Sequence, residues 1–150
     1  MQIHGACHCG AIAFDLDWPD GAPILPRACG CTFCRKHGAA WTAHPDARLT
    51  VRMTREEGVS AYRFGTRTAV FHVCVRCGAV PVCTSEIGGR RYAVVNVRAF
   101  EGLQDPLPEP SAFDVDGEAE DARLARRVRR WIGTVTMVAD RRALPVLGDP

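Results

Sequence analysis

Seven of the eight cysteines in this chain fall in three tight groups: Cys7 and Cys9, then Cys29, Cys31 and Cys34, then Cys74 and Cys77. Sulfurs one or two residues apart can bite a single metal ion. Cys74-x-x-Cys77-Gly78 is in addition the tight turn of a zinc knuckle, whose glycine permits a positive φ. A tetrahedral cage takes four thiolates, so seven divides into one saturated ion and three sulfurs left over. Three protein ligands with one exchangeable position is the usual arrangement of catalytic zinc. The economical division pairs Cys7 and Cys9 with Cys74 and Cys77, because Cys29, Cys31 and Cys34 then stay together. A closed second cage, completed by a histidine such as His37 or by Cys83, is the alternative. Cys83 ends the apolar run Val80-Pro81-Val82-Cys83, where a buried core thiol is the simpler reading.

The donor set also says what an open site would bind. Three thiolates on Zn²⁺ leave a net charge of about −1, so this metal is a weaker Lewis acid than one held by histidines. It suits a soft incoming ligand better than it suits making hydroxide. A small thiol bound there would lose its proton, and a thiolate held at neutral pH can attack an electrophile such as an aldehyde. Arg35, Lys36 and Arg76 flank the clusters; either they offset the sulfur charge or they are ordinary solvated cations. No side chain stands out as a general acid.

These sulfurs need a frame of modest size. The chain has 150 residues, 47% hydrophobic and 24% charged, enough for a single soluble domain. It has no apolar run long enough to span a bilayer, and its first residues lack the pattern of a secretory signal. The expected compartment is therefore the reducing cytoplasm, where clustered thiols bind metal rather than form disulfides. A net charge of +2 makes nucleic acid an unlikely ligand on global electrostatics. The positive charge is almost all arginine, with Lys36 the single lysine. Arg123, Arg126, Arg127, Arg129 and Arg130 follow a run of acids, the order a helix dipole favours, and predict a solvated amphipathic helix.

Short strands dominate the rest. Residues 11–16, 24–28, 40–44, 49–53, 68–73, 79–83 and 92–97 read as strands, the last most clearly because it is apolar and β-branched. Residues 32–37 make one helical turn closed by Gly38, and Thr54 with Glu57 has capping-box spacing for another. Residues 103–110 hold three prolines and resist regular structure. Residues 121–131 are the best helix, 134–139 a final strand, and the end should fray. The fold class is mainly β, a single domain of antiparallel sheets with metal knuckles at strand ends and a short C-terminal helix.

Taken in order, Gly5-Ala6-Cys7-His8-Cys9-Gly10, Cys29-x-Cys31-x-x-Cys34-Arg35-Lys36-His37-Gly38, Tyr62-Arg63-Phe64-Gly65 and Cys74-x-x-Cys77-Gly78 resemble the glutathione-dependent formaldehyde-activating enzyme family, also called the CENP-V/GFA domain. The resemblance spans about residues 1–100; a helical and irregular tail covers about 101–150, and its acidic-then-arginine segment from Asp114 to Trp131 looks like that of short bacterial members. It implies a β-tent-like fold with two zinc ions. By position Cys7, Cys9, Cys74 and Cys77 would hold the structural zinc, and Cys29, Cys31 and Cys34 the catalytic one. It further implies a carbon–sulfur lyase activity joining glutathione to formaldehyde as S-hydroxymethylglutathione. The competing class is a zinc-stabilised binding module whose C-terminal helix docks a protein or nucleic acid.

Overall fold

The computed structural model describes residues 1–54 and 58–139; the capping-box helix after Thr54 and the fraying end fall outside the described residues. In chain order the first elements are β1 (Gln2–Ala6), β2 (Ile12–Asp17), β3 (Arg27–Cys29), α1 (Thr32–His37), β4 (Trp41–Thr42) and β5 (Arg48–Met53). Then come β6 (Val59–Tyr62), β7 (Val70–Cys74), β8 (Val82–Ile87) and β9 (Arg90–Asn96). A 3-10 turn over Val97–Ala99 leads to β10 (Phe100–Glu101), β11 (Ser111–Phe113), α2 (Glu120–Arg130) and β12 (Thr134–Ala139).

The strands form two sheets, ordered β10-β1-β2-β5-β12 and β11-β3-β4-β9-β8-β7-β6. Among the described residues, α1 and α2 are the only α-helices, so the mainly β expectation holds. Most pairings are antiparallel, but β12 runs parallel to β5 and β11 parallel to β3. The main core lies between the sheets. Ile3, Ile12, Phe14, Leu16, Leu49 and Val51 from the first meet Val82, Ala93 and Val95 from the second, all nearly inaccessible to solvent. Their alternation along β2 and β5 is the period-2 pattern of a sheet with one buried face.

The local outcomes have local causes. Helix α1 forms over the expected residues, capped at its start by the Cys31 sulfur and closed by Gly38 in the left-handed region. Strand β8 begins later than predicted, after Pro81, which has no N–H to give to a ladder. It runs on to Ile87 because Gly88 and Gly89, at φ +58° and +76°, make the two-residue turn into β9. Strands β1, β6 and β11 were not legible from pattern. β1 alternates through a glycine, β6 is mostly exposed and β11 abuts the proline run. Residues 103–110 are irregular, as their prolines require.

Buried Asn96 ties three approaches to the sulfur clusters together. Its Oδ1 accepts from the backbone N–H groups of Ala40 and Arg98, and its Nδ2 donates to the Val80 carbonyl at 3.1 Å. Gly5 is fixed by packing instead. It pairs with Phe14 on β2 and Phe100 on β10, whose rings meet edge to face at 6.0 Å. A Cβ on Gly5 would overlap the Phe14 ring. Gly5→Ala is therefore expected to lower stability by about 1–3 kcal/mol, as a fall in urea midpoint at unchanged slope.

Candidate metal centres and the cavity beside one of them

The first cluster joins the two sheets. Cys7 follows β1, in a turn where Gly10 N–H reaches the Cys7 carbonyl at 2.9 Å and the Ile12 N–H points at the Cys7 sulfur at 3.3 Å. Cys74 ends β7 of the other sheet, and Gly78, at φ +75°, closes its turn with an N–H to the Cys74 carbonyl at 2.8 Å. The four sulfurs of Cys7, Cys9, Cys74 and Cys77 lie within 4.8 Å of one another. Cys7 to Cys9 is 3.8 Å and Cys9 to Cys74 is 3.5 Å. Zinc–sulfur bonds of about 2.3 Å in a tetrahedron require edges of about 3.8 Å, so this set fits a zinc cage. All eight cysteines are free thiols, as metal ligation requires and disulfides would forbid.

The second cluster is built within six residues. Cys29 ends β3, Cys31 caps α1 and Cys34 sits on its first turn, with all three sulfurs within 4.8 Å. The sulfurs are held by N–H groups as well as by chain geometry. Cys34 N–H points at the Cys31 sulfur at 3.4 Å, and the Trp41 indole N–H at the Cys34 sulfur at 3.3 Å.

Proton sharing shows how crowded these groups are. In the trio, a hydrogen bond from Cys34 draws the Cys29 thiol down to about 6 against the upward push of burial. That same contact and then burial drive Cys34 far up, and burial raises Cys31. In the cage, burial pushes Cys7 up to about 12 and also raises Cys74. Cys77 falls to about 6, burial being outweighed by the N–H groups of Ala79 and Cys9 and by neighbouring thiols. Like charges this close cannot all ionise without a cation among them. Soft donors in this number suit zinc.

The surroundings of the clusters differ. A cavity of about 510 Å³ opens on Cys29, Cys31 and Cys34, whereas none of the four cage cysteines lines it. Trp41, Phe64, Phe71, Val94 and Phe113 give it apolar walls. Cys83 also lines it but stands outside the three-sulfur set, 2% exposed, with its thiol pushed up to about 12 by burial. His37 is exposed against the Phe33 ring and belongs to neither set.

The cations nearest in sequence are not the ones at the site. Arg35, Lys36 and Arg76 are exposed, and none lines the cavity. Its positive wall is Arg27 together with Arg123, Arg126, Arg127, Arg129 and Arg130 of α2. The expectation of a solvated arginine helix holds for the exposed Arg129 and Arg130 and is corrected for the other three. Arg123 and Arg126 are mostly covered and share Glu118, at 3.7 and 3.0 Å, and Arg127 is buried. Stacking makes this possible: Arg126 lies over the Phe113 ring at 5.0 Å and Arg127 over Trp131 at 4.9 Å. The acids before the arginines signalled a helix, but nothing in the sequence signalled which face the sheet would cover.

A two-sheet β domain with one half-buried sulfur quartet and one sulfur trio fronting a cavity has the make-up of a thiolate metal-binding protein. Residues 2–115 match the family described as glutathione-dependent formaldehyde-activating enzyme, and the chain belongs to that family. It is also similar to a crystal structure of a Rhodobacter sphaeroides protein, at 34% identity over 73% of this chain and 99% of that one, with a TM-score of 0.52. Helix α2 and β12 lie beyond the residues matched to the family. Among the described residues, no helix is long and apolar enough to cross a membrane.

The indole contact to the trio gives a direct test. Trp41→Phe keeps an aromatic ring beside Phe71 and removes the N–H to Cys34. Metal affinity at the trio should fall by about 10-fold or more, while the quartet is unchanged, as read by competition with a chromophoric chelator.

Proposed function

We propose that this chain is a zinc-dependent carbon–sulfur lyase-type enzyme that adds a thiol, glutathione or one like it, to formaldehyde or another small aldehyde, reversibly. In this reading Cys7, Cys9, Cys74 and Cys77 hold a structural zinc and Cys29, Cys31 and Cys34 a catalytic one. One observation carries it: of two sulfur clusters, the one short of a fourth ligand is the one that opens on the cavity. The family match supports the choice of thiol and aldehyde.

Zinc held by three thiolates supplies a soft open position at which an incoming thiol loses its proton near neutral pH. The chain's own residues do the rest. Trp41 and the cap of α1 fix two of the three sulfurs through N–H contacts, so the trio keeps its shape while a ligand exchanges. Trp41, Phe71 and Val94 give the cavity an apolar wall on which the aldehyde and the carbon chain of the thiol can pack. The reaction balances without a redox partner. A carbon–sulfur bond forms, the carbonyl π pair moves to oxygen, and the proton lost from sulfur ends on that oxygen. Because thiols add to formaldehyde unaided, the catalysed rate must be measured against a fast background.

The protein should contain two zinc ions per chain. Cys31→Ser should lose about one of them and the rate above background, yet still unfold cooperatively. Cys74→Ser should fail to fold, because a structural zinc contributes on the order of 10 kcal/mol against a typical total of about 5–15 kcal/mol. In cobalt-substituted protein, a neutral thiol such as 2-mercaptoethanol should change the visible spectrum. Two metals insensitive to thiol would instead establish a zinc-stabilised binding module.

A further inference from the structure

Arg127 is a charged side chain, 7% exposed, that makes no ion pair among the described residues, although Glu118 acts on it electrostatically. All three of its hydrogen bonds leave Nη1 and end on neutral oxygens: the Thr68 carbonyl at 3.2 Å, Thr68 Oγ1 at 2.9 Å and Ser85 Oγ at 3.1 Å. Its Nε is buried without a partner. A guanidinium does not give up its charge in proteins, so a buried one lacking a counter-ion carries a desolvation cost that a bound anion would offset. This residue lines the same cavity as the sulfur trio.

It does not stand alone there. Positions 123, 126, 127 and 130 of α2 are three or four residues apart and so share one face of the helix. Glu118 pairs directly with Arg123 and Arg126 and acts on Arg127 only electrostatically, so Arg127, Arg129 and Arg130 make no ion pair among the described residues. Arg27 faces the cavity from β3, stacked on Phe113 at 5.6 Å and likewise without an acid. Arg127 and Arg130 lie about 4.5 Å apart along the helix axis, and Arg27 lines the cavity from a different element, β3. That spread suits separated carboxylates better than one compact dianion.

We propose that Arg127 and Arg130, with Arg27 across the cavity, form a carboxylate subsite that selects substrates bearing carboxylates away from the reacting sulfur. The inference deepens the reading of the cavity given above and assigns its specificity to α2, which lies outside the residues matched to the family. These arginines are specificity-determining residues, separate from the sulfurs that hold the metal.

The probe is S-methylglutathione, which keeps both carboxylates but cannot become a thiolate, titrated calorimetrically into the metal-loaded protein. The acid should bind at least about 10-fold more tightly than its diethyl ester, with the difference shrinking in salt. Arg130→Gln, at an exposed position, should weaken the acid by about 3–10-fold and leave the ester unchanged, and Arg127→Gln should weaken it further. Arg91→Gln, which removes a surface pair with Glu86 outside the cavity, should have no effect. Equal binding of acid and ester, or unaltered binding in Arg130→Gln, would overturn the subsite. So would inorganic phosphate that competes as well as the peptide. Should Arg127→Gln fail to fold, Arg130→Gln still decides. The methylated probe tests the arginines without the thiol chemistry, and 2-mercaptoethanol on cobalt tests the thiol chemistry without the arginines, so either reading can fail alone.

Discussion

Four sulfurs carried by segments of two different sheets converge on one point, and the rest of the structure is arranged around that convergence. Cys7 and Cys9 follow β1 and precede β2, Cys74 ends β7, and Cys77 completes its turn, so the quartet sits where the five-stranded and seven-stranded sheets converge. A metal there would add a fixed link beside an apolar core that already holds the sheets face to face. Cys7 and Cys74 are buried, the turns around them are held by backbone hydrogen bonds, and neither lines the cavity beside the trio.

The trio has the opposite character because of where its chain goes. Cys29, Cys31 and Cys34 are held by one strand end and one short helix, both at the same sheet, so no second sheet closes over them. Their neighbours on that side are β4, β8 and β9 below and α2 opposite, which together leave the cavity. The parallel pairing of β11 with β3 contributes here. It places Phe113 beside Cys29, with the Gly30 N–H on the Phe113 carbonyl at 2.8 Å, and two arginines stack on that ring. The result is one domain with an inert-looking sulfur site and an accessible one. Ring stacking and three neutral acceptors cover part of the buried cation Arg127 and leave its charge without an ion pair.

The sequence by itself determined the ligand groups, the mainly β class, helix α1 with its glycine stop and the final strand, all of which follow from short-range chemistry. Sulfurs two or three residues apart must point at a common centre, and period-2 alternation must bury one face. The clusters' division was also legible, because only one partition of seven sulfurs keeps near neighbours together. Tertiary structure alone decided which cluster opens on a cavity, and that α2 turns its arginines into it. Those arginines lie about a hundred residues beyond Cys29. Their approach is set by how β11 and β12 dock on distant strands, through backbone pairing that leaves no mark in local spacing. Helical periodicity says which residues share a face, and only the packed neighbour says what that face meets.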